Sequence, residues 1–354
     1  MTMKYLHRIV ICPALLAILS MPLLADWTVS YLHPAGHSQS YAVGVSDGQQ
    51  VGYTFIDINS YVHAGLWTGA AESFVDLHPA GHVLSQAFGV SGGQQVGVAD
   101  RHAGMWSGTA ESWVDLNPGG STESYAYGIS GGHQVGRAYI GGIPRAGLWN
   151  GTAESFVDLH PAGNLSSLAC GVSDDQQVGL VAISSNCTHA SLWTGTAESF
   201  VDLHPAGYSR SSARSAYGGQ QVGYADTHAC LWTGTAESFV DLHPAGYSWS
   251  EAHAVSSGWQ VGSASVSGIY HAGLWNGTAE SFVDLHSLLS PDWVESKAEG
   301  IEVTGNHIWI AGYAGKEGRS EAILWHNVIP EPSSLLALGG GLIGLAGLAL
   351  RRRK

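Results

Sequence analysis

The chain has 354 residues, of which 48 are glycine, about twice the usual share. Charged residues make up only 12% and hydrophobic residues 45%, with 13 tryptophans, so the composition excludes a disordered chain. Residues 26–328 contain eight Lys and Arg against 27 Asp and Glu. Binding of a polyanion by counterion release requires a basic surface, so nucleic acid is not an expected partner.

The first 25 residues are predicted to be a secretory signal peptide. Lys4 and Arg8 precede an apolar stretch from Ile9 to Leu24, and a small residue, Ala25, stands at the expected cleavage point. An uncleaved membrane anchor is the alternative, which the shortness of the run disfavours. The chain is therefore expected to be exported.

A short element ending in Leu-Trp or Met-Trp occurs seven times after the signal. The copies are His63–Trp67, His102–Trp106, Arg145–Trp149, His189–Trp193, His228–Trp232, His271–Trp275 and Glu321–Trp325. Successive tryptophans are 39 to 50 residues apart. A repeat of this length is typical of a four-stranded propeller blade.

One repeat, from Ser85 to Pro118, illustrates how four strands fit. The predicted strands are centred on Ala87–Val90, Gln95–Val98, Ala103–Trp106 and Ser112–Leu116. Gly92 and Gly93 separate the first two, as a type I′ hairpin requires, because glycine adopts positive φ without steric cost.

The ends of the repeat region indicate how the ring closes. The seventh copy lacks a fourth strand after Trp325, whereas Trp27–Gly36 reads as a fourth strand without a repeat of its own. Pairing the two would cover two exposed sheet edges. The sequence therefore predicts an all-β fold, a seven-bladed β-propeller over residues 26–327 closed by an N-terminal clasp strand. An open β-solenoid is the alternative.

The repeat resembles the HAF repeat of bacterial extracellular proteins. The matching positions are the His-Ala pairs at His63, His102, His189, His228 and His271 with their following tryptophans, and Gly-Gln-x-Val-Gly hairpins such as Gly93–Gly97. Gly, Ser or Cys stands here where the family has Phe. The resemblance implies an extracellular protein and brings no established activity.

Histidine and aspartate recur at equivalent positions of nearly every repeat. The repeated Leu-His element contains His33, His78, His160, His204, His243 and His286, and the aspartates are Asp76, Asp115, Asp158, Asp202, Asp241 and Asp284. Equivalent positions on the outer strands of separate blades do not converge, whereas an active site is a single asymmetric cluster. We predict packing or turn-capping roles, with no catalytic residue, metal or cofactor. A secreted hydrolase or lyase is the minority alternative.

Three cysteines remain after removal of the signal. Cys170 and Cys187 belong to one repeat, and an oxidising compartment would permit a disulfide between them, leaving Cys230 buried. Free buried thiols are an equal alternative.

A candidate ligand-binding face lies where the repeats differ most. The links between second and third strands vary in length and lie on the same face as the crossings between blades. Aromatic residues of this face are Tyr53, Phe55, Tyr61, Tyr139, Tyr208, Tyr247, Trp249 and Tyr270. Aromatic rings beside polar residues suit stacking on sugars, and the low charge favours a neutral or weakly charged glycan. Packing of these rings on their own blades is the alternative.

The C-terminal end, residues 328–354, contains three features in a fixed order. Pro330, Glu331 and Pro332 precede an apolar run from Leu335 to Leu350, which is followed by the basic cluster Arg351–Lys354. The run can just cross a bilayer as a helix, with the basic cluster cytoplasmic. This end resembles the PEP-CTERM sorting signal of Gram-negative bacteria. The resemblance implies an exosortase-type processing enzyme as partner, transient residence in the inner membrane, and delivery to the cell surface or extracellular matrix. A plain C-terminal anchor is the alternative.

Together these features predict an exported, non-enzymatic structural or interaction protein of the surface or matrix. A matrix protein or an extracellular polysaccharide is the expected partner, and a glycan-binding propeller is the first alternative.

Overall fold

The structure, a computed structural model, describes residues 27–56 and 61–329. These residues form seven four-stranded antiparallel sheets, each contacting the next around a closed ring. The predicted all-β, seven-bladed propeller is confirmed. The predicted signal peptide, the Pro330–Pro332 motif and the apolar run that follows it lie outside the described residues.

Each sheet is ordered from the axis of the ring to its outside. The innermost strands are β2 (Gln39–Ser46), β6 (Ser85–Ser91), β10 (Ser121–Ser130), β14 (Ser166–Ser173), β18 (Ser211–Tyr217), β22 (Trp249–Ser256) and β26 (Glu295–Thr304). The second strands are β3 (Gln49–Phe55), β7 (Gln94–Ala99), β11 (His133–Ile140), β15 (Gln176–Ser184), β19 (Gln220–Ala225), β23 (Trp259–Val266) and β27 (His307–Lys316). The third strands are β4 (Val62–Trp67), β8 (His102–Trp106), β12 (Ile143–Trp149), β16 (Cys187–Trp193), β20 (His228–Trp232), β24 (Ile269–Trp275) and β28 (Arg319–Val328). The outermost strands are β5 (Val75–Asp76), β9 (Val114–Asp115), β13 (Val157–Asp158), β17 (Val201–Asp202), β21 (Val240–Asp241) and β25 (Val283–Asp284).

The seventh sheet takes its outermost strand from the start of the described chain. This strand, β1 (Thr28–Tyr31), pairs antiparallel with β28, with Val29 opposite Trp325. The Leu32 amide extends the pairing by donating to Ala322 O at 2.8 Å. Residues nearly 300 positions apart in the chain therefore share one sheet.

The turn between the first two strands of a blade follows the predicted chemistry. Gly92 and Gly93 have φ of 57° and 75° in a two-residue hairpin, as predicted. The link to the fourth strand is a one-turn 3-10 helix rather than a hairpin loop. The six helices of this kind are Ala71–Ser73, Ala110–Ser112, Ala153–Ser155, Ala197–Ser199, Ala236–Ser238 and Ala279–Ser281, and a further one spans His286–Leu288.

The fourth strands are shorter than predicted for a physical reason. Ser112 Oγ donates to Thr109 O at 2.6 Å and accepts from Ser107 N at 2.7 Å, which holds this serine in the turn. Only Val114–Asp115 then pairs as strand, whereas the prediction extended over Ser112–Leu116.

The hydrophobic core lies between neighbouring blades. Leu77 of the first blade, for example, packs with Trp106 of the second, and both are fully buried.

A repeated hydrogen-bond chain also joins neighbouring blades. The Ala64 amide donates to Ser85 Oγ of the next blade at 2.9 Å, and the same Oγ lies 2.9 Å from His78 Nδ1. His78 Nε2 lies 3.0 Å from the His82 carbonyl oxygen. Because that carbonyl can only accept, the imidazole carries its hydrogen on Nε2 and accepts from the serine at Nδ1. The Leu-His histidines are thus structural connectors between blades.

Candidate functional site

A central channel runs along the axis and is lined by the innermost strand of every blade. All seven of these strands contain the sequence Ser-x-Ala-y, where x and y vary. The y residues are Val43, Phe88, Tyr127, Cys170, Arg214, His253 and Glu299, and all seven line the channel. The x residues are Tyr41, Gln86, Tyr125, Leu168, Ser212, Glu251 and Lys297.

A β-bulge presents each y residue to the channel. In every blade the pairing of the first two strands slips by one residue at y, for example between Ala87 and Gly89 around Phe88. The other slips flank Val43, Tyr127, Cys170, Arg214, His253 and Glu299. Bulges redirect side chains and are frequent beside functional sites. A repeated frame thus projects seven different side chains toward one axis.

The channel is apolar on one side and charged on the other. Charged groups come from three consecutive blades, where Arg214 Nε donates to Glu251 Oε1 at 2.6 Å. His253 Nδ1 lies 3.1 Å from Glu299 Oε2, and its Nε2 lies 4.0 Å from Glu251 Oε2. These four residues form a continuous electrostatic chain across the fifth, sixth and seventh blades.

The ionisation of this chain follows from its mutual contacts. Burial alone lowers the pKa of His253, but the Glu299 and Glu251 carboxylates outweigh it, and the pKa lies above its ordinary value. Burial raises the pKa of Glu299, yet His253 and Lys297 bring it below its ordinary value. The paired charged forms are therefore the favoured ones.

Cys170 occupies the y position beside Arg214. Its thiol has a pKa raised by burial, although the guanidinium groups of Arg214 and Arg137 oppose that shift. A thiol held protonated is a poor nucleophile. The arrangement therefore favours binding over covalent catalysis at this position.

Tyrosine rings surround the charged groups toward the crossing face, the face that contains the crossings between blades. The Arg137 guanidinium carbon lies 4.8 Å from the ring centroid of Tyr125, 5.9 Å from that of Tyr127 and 5.4 Å from that of Tyr139. On the opposite side, Lys297 Nζ lies 4.3 Å from the centroid of the Tyr270 ring. Burial raises the pKa of Tyr127 to about 12, so its hydroxyl stays protonated.

A third group of rings comes from the first and seventh blades. Tyr41 stacks on Tyr53 with centroids 4.9 Å apart and meets Tyr313 edge-on at 4.8 Å. Burial raises the pKa of Tyr53 and Tyr313 far above the ordinary value. These hydroxyls act as neutral hydrogen-bonding groups.

The charged residues and Tyr127 enclose a cavity of about 470 Å³ at the crossing-face end of the channel. We call this cavity the channel mouth. Its walls are Tyr127, Leu168, Cys170, Arg214, Glu251, His253, Lys297 and Glu299. A second cavity, of about 440 Å³, lies at the other end and is lined by the last residues of the innermost strands and the turns that follow them. Both volumes are in the range of small-molecule sites, roughly 300–1,000 Å³.

The predicted ligand-face aromatics divide into two groups. Tyr53 lies on β3, Tyr139 on β11 and Tyr270 on β24, and Trp249 meets Tyr270 edge-on at 5.4 Å. None of these four residues is among those that line the channel mouth. Phe55 packs edge-on against Tyr41 and Tyr53, and Tyr61 is 57% exposed.

Tyr208 and Tyr247 lie farther out, in the crossings between blades. Tyr208 packs on Phe239, and Tyr247 packs on Phe282 with its hydroxyl 3.4 Å from Asp284 Oδ2. Both rings therefore contact the outer part of the blade that follows the crossing.

The three described cysteines are free thiols, so the Cys170–Cys187 disulfide is absent from this structure. Cys170 lies at the bulge in β14, opposite the region of Gly179, whereas Cys187 pairs with Ser184 at the far end of β15. Five residues of strand separate these levels, roughly 16 Å at 3.3 Å per residue. A disulfide requires Cα atoms within about 7 Å, so the fold does not permit this bridge.

The outer histidines and aspartates form local pairs within each blade. His63 Nδ1 lies 2.8 Å from Asp76 Oδ2, and its ring stacks on His78 at 3.8 Å. Arg145 takes the place of this histidine in the third blade and contacts Asp158 at 2.8 Å. Among residues 27–56 and 61–329, no group of three or more His, Cys, Asp or Glu is arranged to hold a metal ion.

The sequence interpretation missed the channel mouth, although the sequence contained a signal for it. Aligning the seven Ser-x-Ala-y segments shows one constant frame with a different residue at y in each copy.

The C-terminal residues 328–354 match the PEP-CTERM protein-sorting motif. The match indicates an exported protein with a C-terminal sorting signal, which implies processing by an exosortase. In the described part of the chain, no helix has the length and apolar character needed to cross a bilayer. No curated protein matches this sequence.

Several solved structures share the propeller fold at very low sequence identity. A prolyl endopeptidase matches 84% of this chain and 51% of its own, with a TM-score of 0.54 at 10% identity. A puromycin-hydrolyzing peptidase of Mycobacterium tuberculosis matches 82% of this chain and 54% of its own, with a TM-score of 0.53 at 11% identity. The extracellular domain of BT4673 from B. thetaiotaomicron matches 84% of this chain and 40% of its own, with a TM-score of 0.51 at 8% identity. The chain thus spans about half the length of the two peptidases, and the likeness concerns the fold.

Proposed function

We propose that this protein is an exported interaction module of the cell surface or extracellular matrix that binds its partner at the channel mouth. One observation carries the proposal. Seven near-copies of one repeat place seven different side chains at y, on bulges that face a common axis. A purely structural ring needs no such diversity, whereas a single asymmetric binding site does.

The route to the surface follows from the sorting motif. An exosortase-type enzyme would process the chain near Pro330–Pro332 while the following apolar run resides in the inner membrane. Delivery to the cell surface or matrix then completes the route. The resemblance of the repeats to HAF repeats fits this destination and stays a prediction.

Binding without turnover is the favoured activity. The Cys170 thiol is held protonated, and the carboxylates Glu251 and Glu299 are engaged with Arg214 and His253. Both carboxylates of the channel mouth are thus paired with a cation, which disfavours either of them as a general base. A hydrolase or lyase on the same scaffold remains the competing activity, and the experiment below separates the two.

The test measures retention of the mature, full-length protein on extracellular matrix isolated from the producing bacterium. Tyr127→Ala at the channel mouth is compared with Tyr217→Ala, an exposed tyrosine at the opposite end of the channel. We expect at least about tenfold weaker retention for Tyr127→Ala and no change for Tyr217→Ala, at unchanged melting temperatures. Equal retention of both variants contradicts the proposed site. Consumption of matrix polymer by the native protein contradicts a binding role.

A further inference from the structure

The charged residues of the channel mouth present groups of opposite sign side by side. Arg214 Nε donates to Glu251 Oε1 at 2.6 Å, and His253 Nδ1 lies 3.1 Å from Glu299 Oε2. Lys297, on the same strand as Glu299, lines the same cavity. A ligand with a net charge of either sign would therefore approach at least one group that repels it. The arrangement favours a neutral ligand.

One gap between two of these residues has the dimensions of a hydroxyl bridge. His253 Nδ1 also lies 2.9 Å from the Ala298 carbonyl oxygen, and because that oxygen can only accept, Nδ1 carries a hydrogen. The other ring nitrogen, Nε2, lies 4.0 Å from Glu251 Oε2, too far for a direct hydrogen bond. An oxygen atom about 2.8 Å from both would bridge them.

The two atoms on either side of this gap select the group that bridges them. The pKa of His253 lies above its ordinary value, which favours a hydrogen on Nε2 as well as on Nδ1. The bridging atom then has to accept from His253 and donate to Glu251. A hydroxyl does both, whereas a carboxylate cannot donate and an ammonium cannot accept.

The other walls of the cavity suit a molecule with several hydroxyls. Arg214 donates to Glu251 through one of its N–H groups, and its remaining N–H groups and those of Lys297 can donate to a ligand. The second carboxylate oxygen of Glu299 can accept. Tyr127 and Leu168 add apolar surface to the same cavity. Adjacent hydroxyls on a ring with apolar C–H faces, the chemistry of an uncharged sugar, match these groups together.

We infer that the channel mouth binds an uncharged sugar unit, with one sugar hydroxyl between His253 Nε2 and Glu251 Oε2. This inference rests on the proposed function. It keeps the neutral glycan expected from the sequence but assigns its binding to the innermost strands β22 and β26 instead of the predicted ligand-face aromatics. The sugar unit is either a free sugar or the end of a neutral polysaccharide.

The test measures, by calorimetry, the affinity of the purified mature protein for the methyl glycosides of glucose, galactose and mannose. Each is compared with its uronic acid and its 6-amino-6-deoxy counterpart, which differ from it only at carbon 6. We expect the best neutral glycoside to bind at least about tenfold more tightly than both charged counterparts, because burying an unpaired charge opposes binding. Failure of all three neutral glycosides to bind, or tighter binding of a charged counterpart, overturns the inference.

An oligosaccharide of the best neutral sugar distinguishes the two sources. Affinity at least equal to that of the glycoside supports binding of a polysaccharide end, because the rest of the chain then stays outside the cavity without a clash. Much weaker affinity supports binding of the free sugar.

Two variants assign the effect to the bridged atoms. Glu251→Gln keeps an oxygen that can accept from Arg214 but removes the negative charge, and should weaken the neutral glycoside about tenfold while reducing its advantage over the uronic acid. His253→Asn keeps a donor near the Nδ1 position and removes Nε2, and should weaken the neutral glycoside by a similar factor. Native affinity in either variant, at a native melting temperature, overturns the inference.

Glu321→Gln is the matched control for the loss of a carboxylate. Glu321 pairs with Lys316 at 3.3 Å and is not among the residues that line the channel mouth. We expect its affinities for the neutral glycoside and for both charged counterparts to equal those of the native protein. A loss equal to that of Glu251→Gln would show that the effect is not local to the channel mouth and would overturn the inference.

The matrix experiment separates this inference from the proposed function. Retention that depends on Tyr127 but is not displaced by any of the neutral glycosides overturns the sugar and leaves the binding site standing. Retention that is unchanged in Tyr127→Ala contradicts the site itself. Displacement by a neutral glycoside and not by its charged counterparts supports both.

Discussion

Ser124 donates a hydrogen bond to Asn117 Oδ1 at 2.7 Å, the contact that Ser85 makes with His78 Nδ1 in the preceding repeat. Asn117 Nδ2 reaches the Ser121 carbonyl oxygen at 3.4 Å, where His78 Nε2 reaches that of His82. The amide therefore reproduces the hydrogen bonding of a neutral, Nε2-protonated imidazole. One repeat contains a version of the connector that cannot titrate.

This equivalence predicts acid-sensitive stability. Burial lowers the pKa of the connector histidines below the ordinary 6.5, and in several blades a stacked histidine lowers it further. The connectors with a lowered pKa are His33, His78, His160, His204, His243 and His286. On acidification the unfolded chain binds protons first, so stability is present above about pH 6.5 and falls as the pH drops toward the folded-state pKa values.

The combined change of His78, His204 and His243 to Asn should flatten this decline while leaving stability near pH 7.5 little changed. Melting temperature recorded between pH 7.5 and 5 provides the measurement. The reciprocal variant Asn117→His should steepen the decline. A triple variant with the native pH profile would show that these connectors do not control acid stability.

A second prediction concerns the close approach of the two inner strands. A Cβ on Gly97 would lie 1.9 Å from the Gln86 carbonyl oxygen, whereas one on Gly119 would have no atom within 4 Å. Gly97→Ala should therefore destabilise the fold by about 1–3 kcal/mol or more. Gly119→Ala should be neutral or slightly stabilising. Denaturant unfolding of both variants checks this, and a Gly97→Ala variant of native stability would contradict the register of β6 and β7.

Leu32 tests whether β1 acts as a clasp. Leu32 and Leu77 are equivalent in the repeat and both are fully buried. If the N-terminal strand contributes to ring closure as the other fourth strands do to their blades, Leu32→Ala and Leu77→Ala should each cost about 2–5 kcal/mol. Deletion of residues 26–36 should cost at least as much, because it also exposes the edge of β28. A much smaller loss for Leu32→Ala than for Leu77→Ala would argue that the ring holds without its clasp.

The architecture was readable from the sequence because repetition makes each signal occur seven times. The spacing of buried tryptophans such as Trp67 and Trp106, and the paired glycines at Gly92 and Gly93, reflect local backbone and packing requirements. The channel mouth could not be predicted in this way, because it depends on how different blades are placed around the axis. Arg214, His253 and Glu299 come together only because the ring places residues about 40 positions apart on adjacent bulges.

For the histidines and aspartates of the outer strands, the sequence predicted the type of role but not the individual contacts. The repeated histidines and aspartates were expected to have packing roles, and the structure adds which atoms meet, as in the His63–Asp76 pair at 2.8 Å. The disulfide proposal failed because sequence proximity of Cys170 and Cys187 says nothing of their level along the strands. Strand register, which fixes that level, is a property of the folded sheet.

The sorting motif supplies the last prediction. Residues 328–354 match the PEP-CTERM motif, so recognition by an exosortase should depend on its Pro-Glu-Pro segment. Changing Pro330, Glu331 and Pro332 together to Ala should leave the precursor in the inner membrane with an intact C-terminus, since the apolar run and basic cluster would still arrest it there. Membrane fractionation and the mass of the isolated protein measure location and processing. A Ser333→Ala and Ser334→Ala variant is the control and should be processed normally. Surface delivery of the triple variant with the native mass would show that another protease, or no protease, acts at this end.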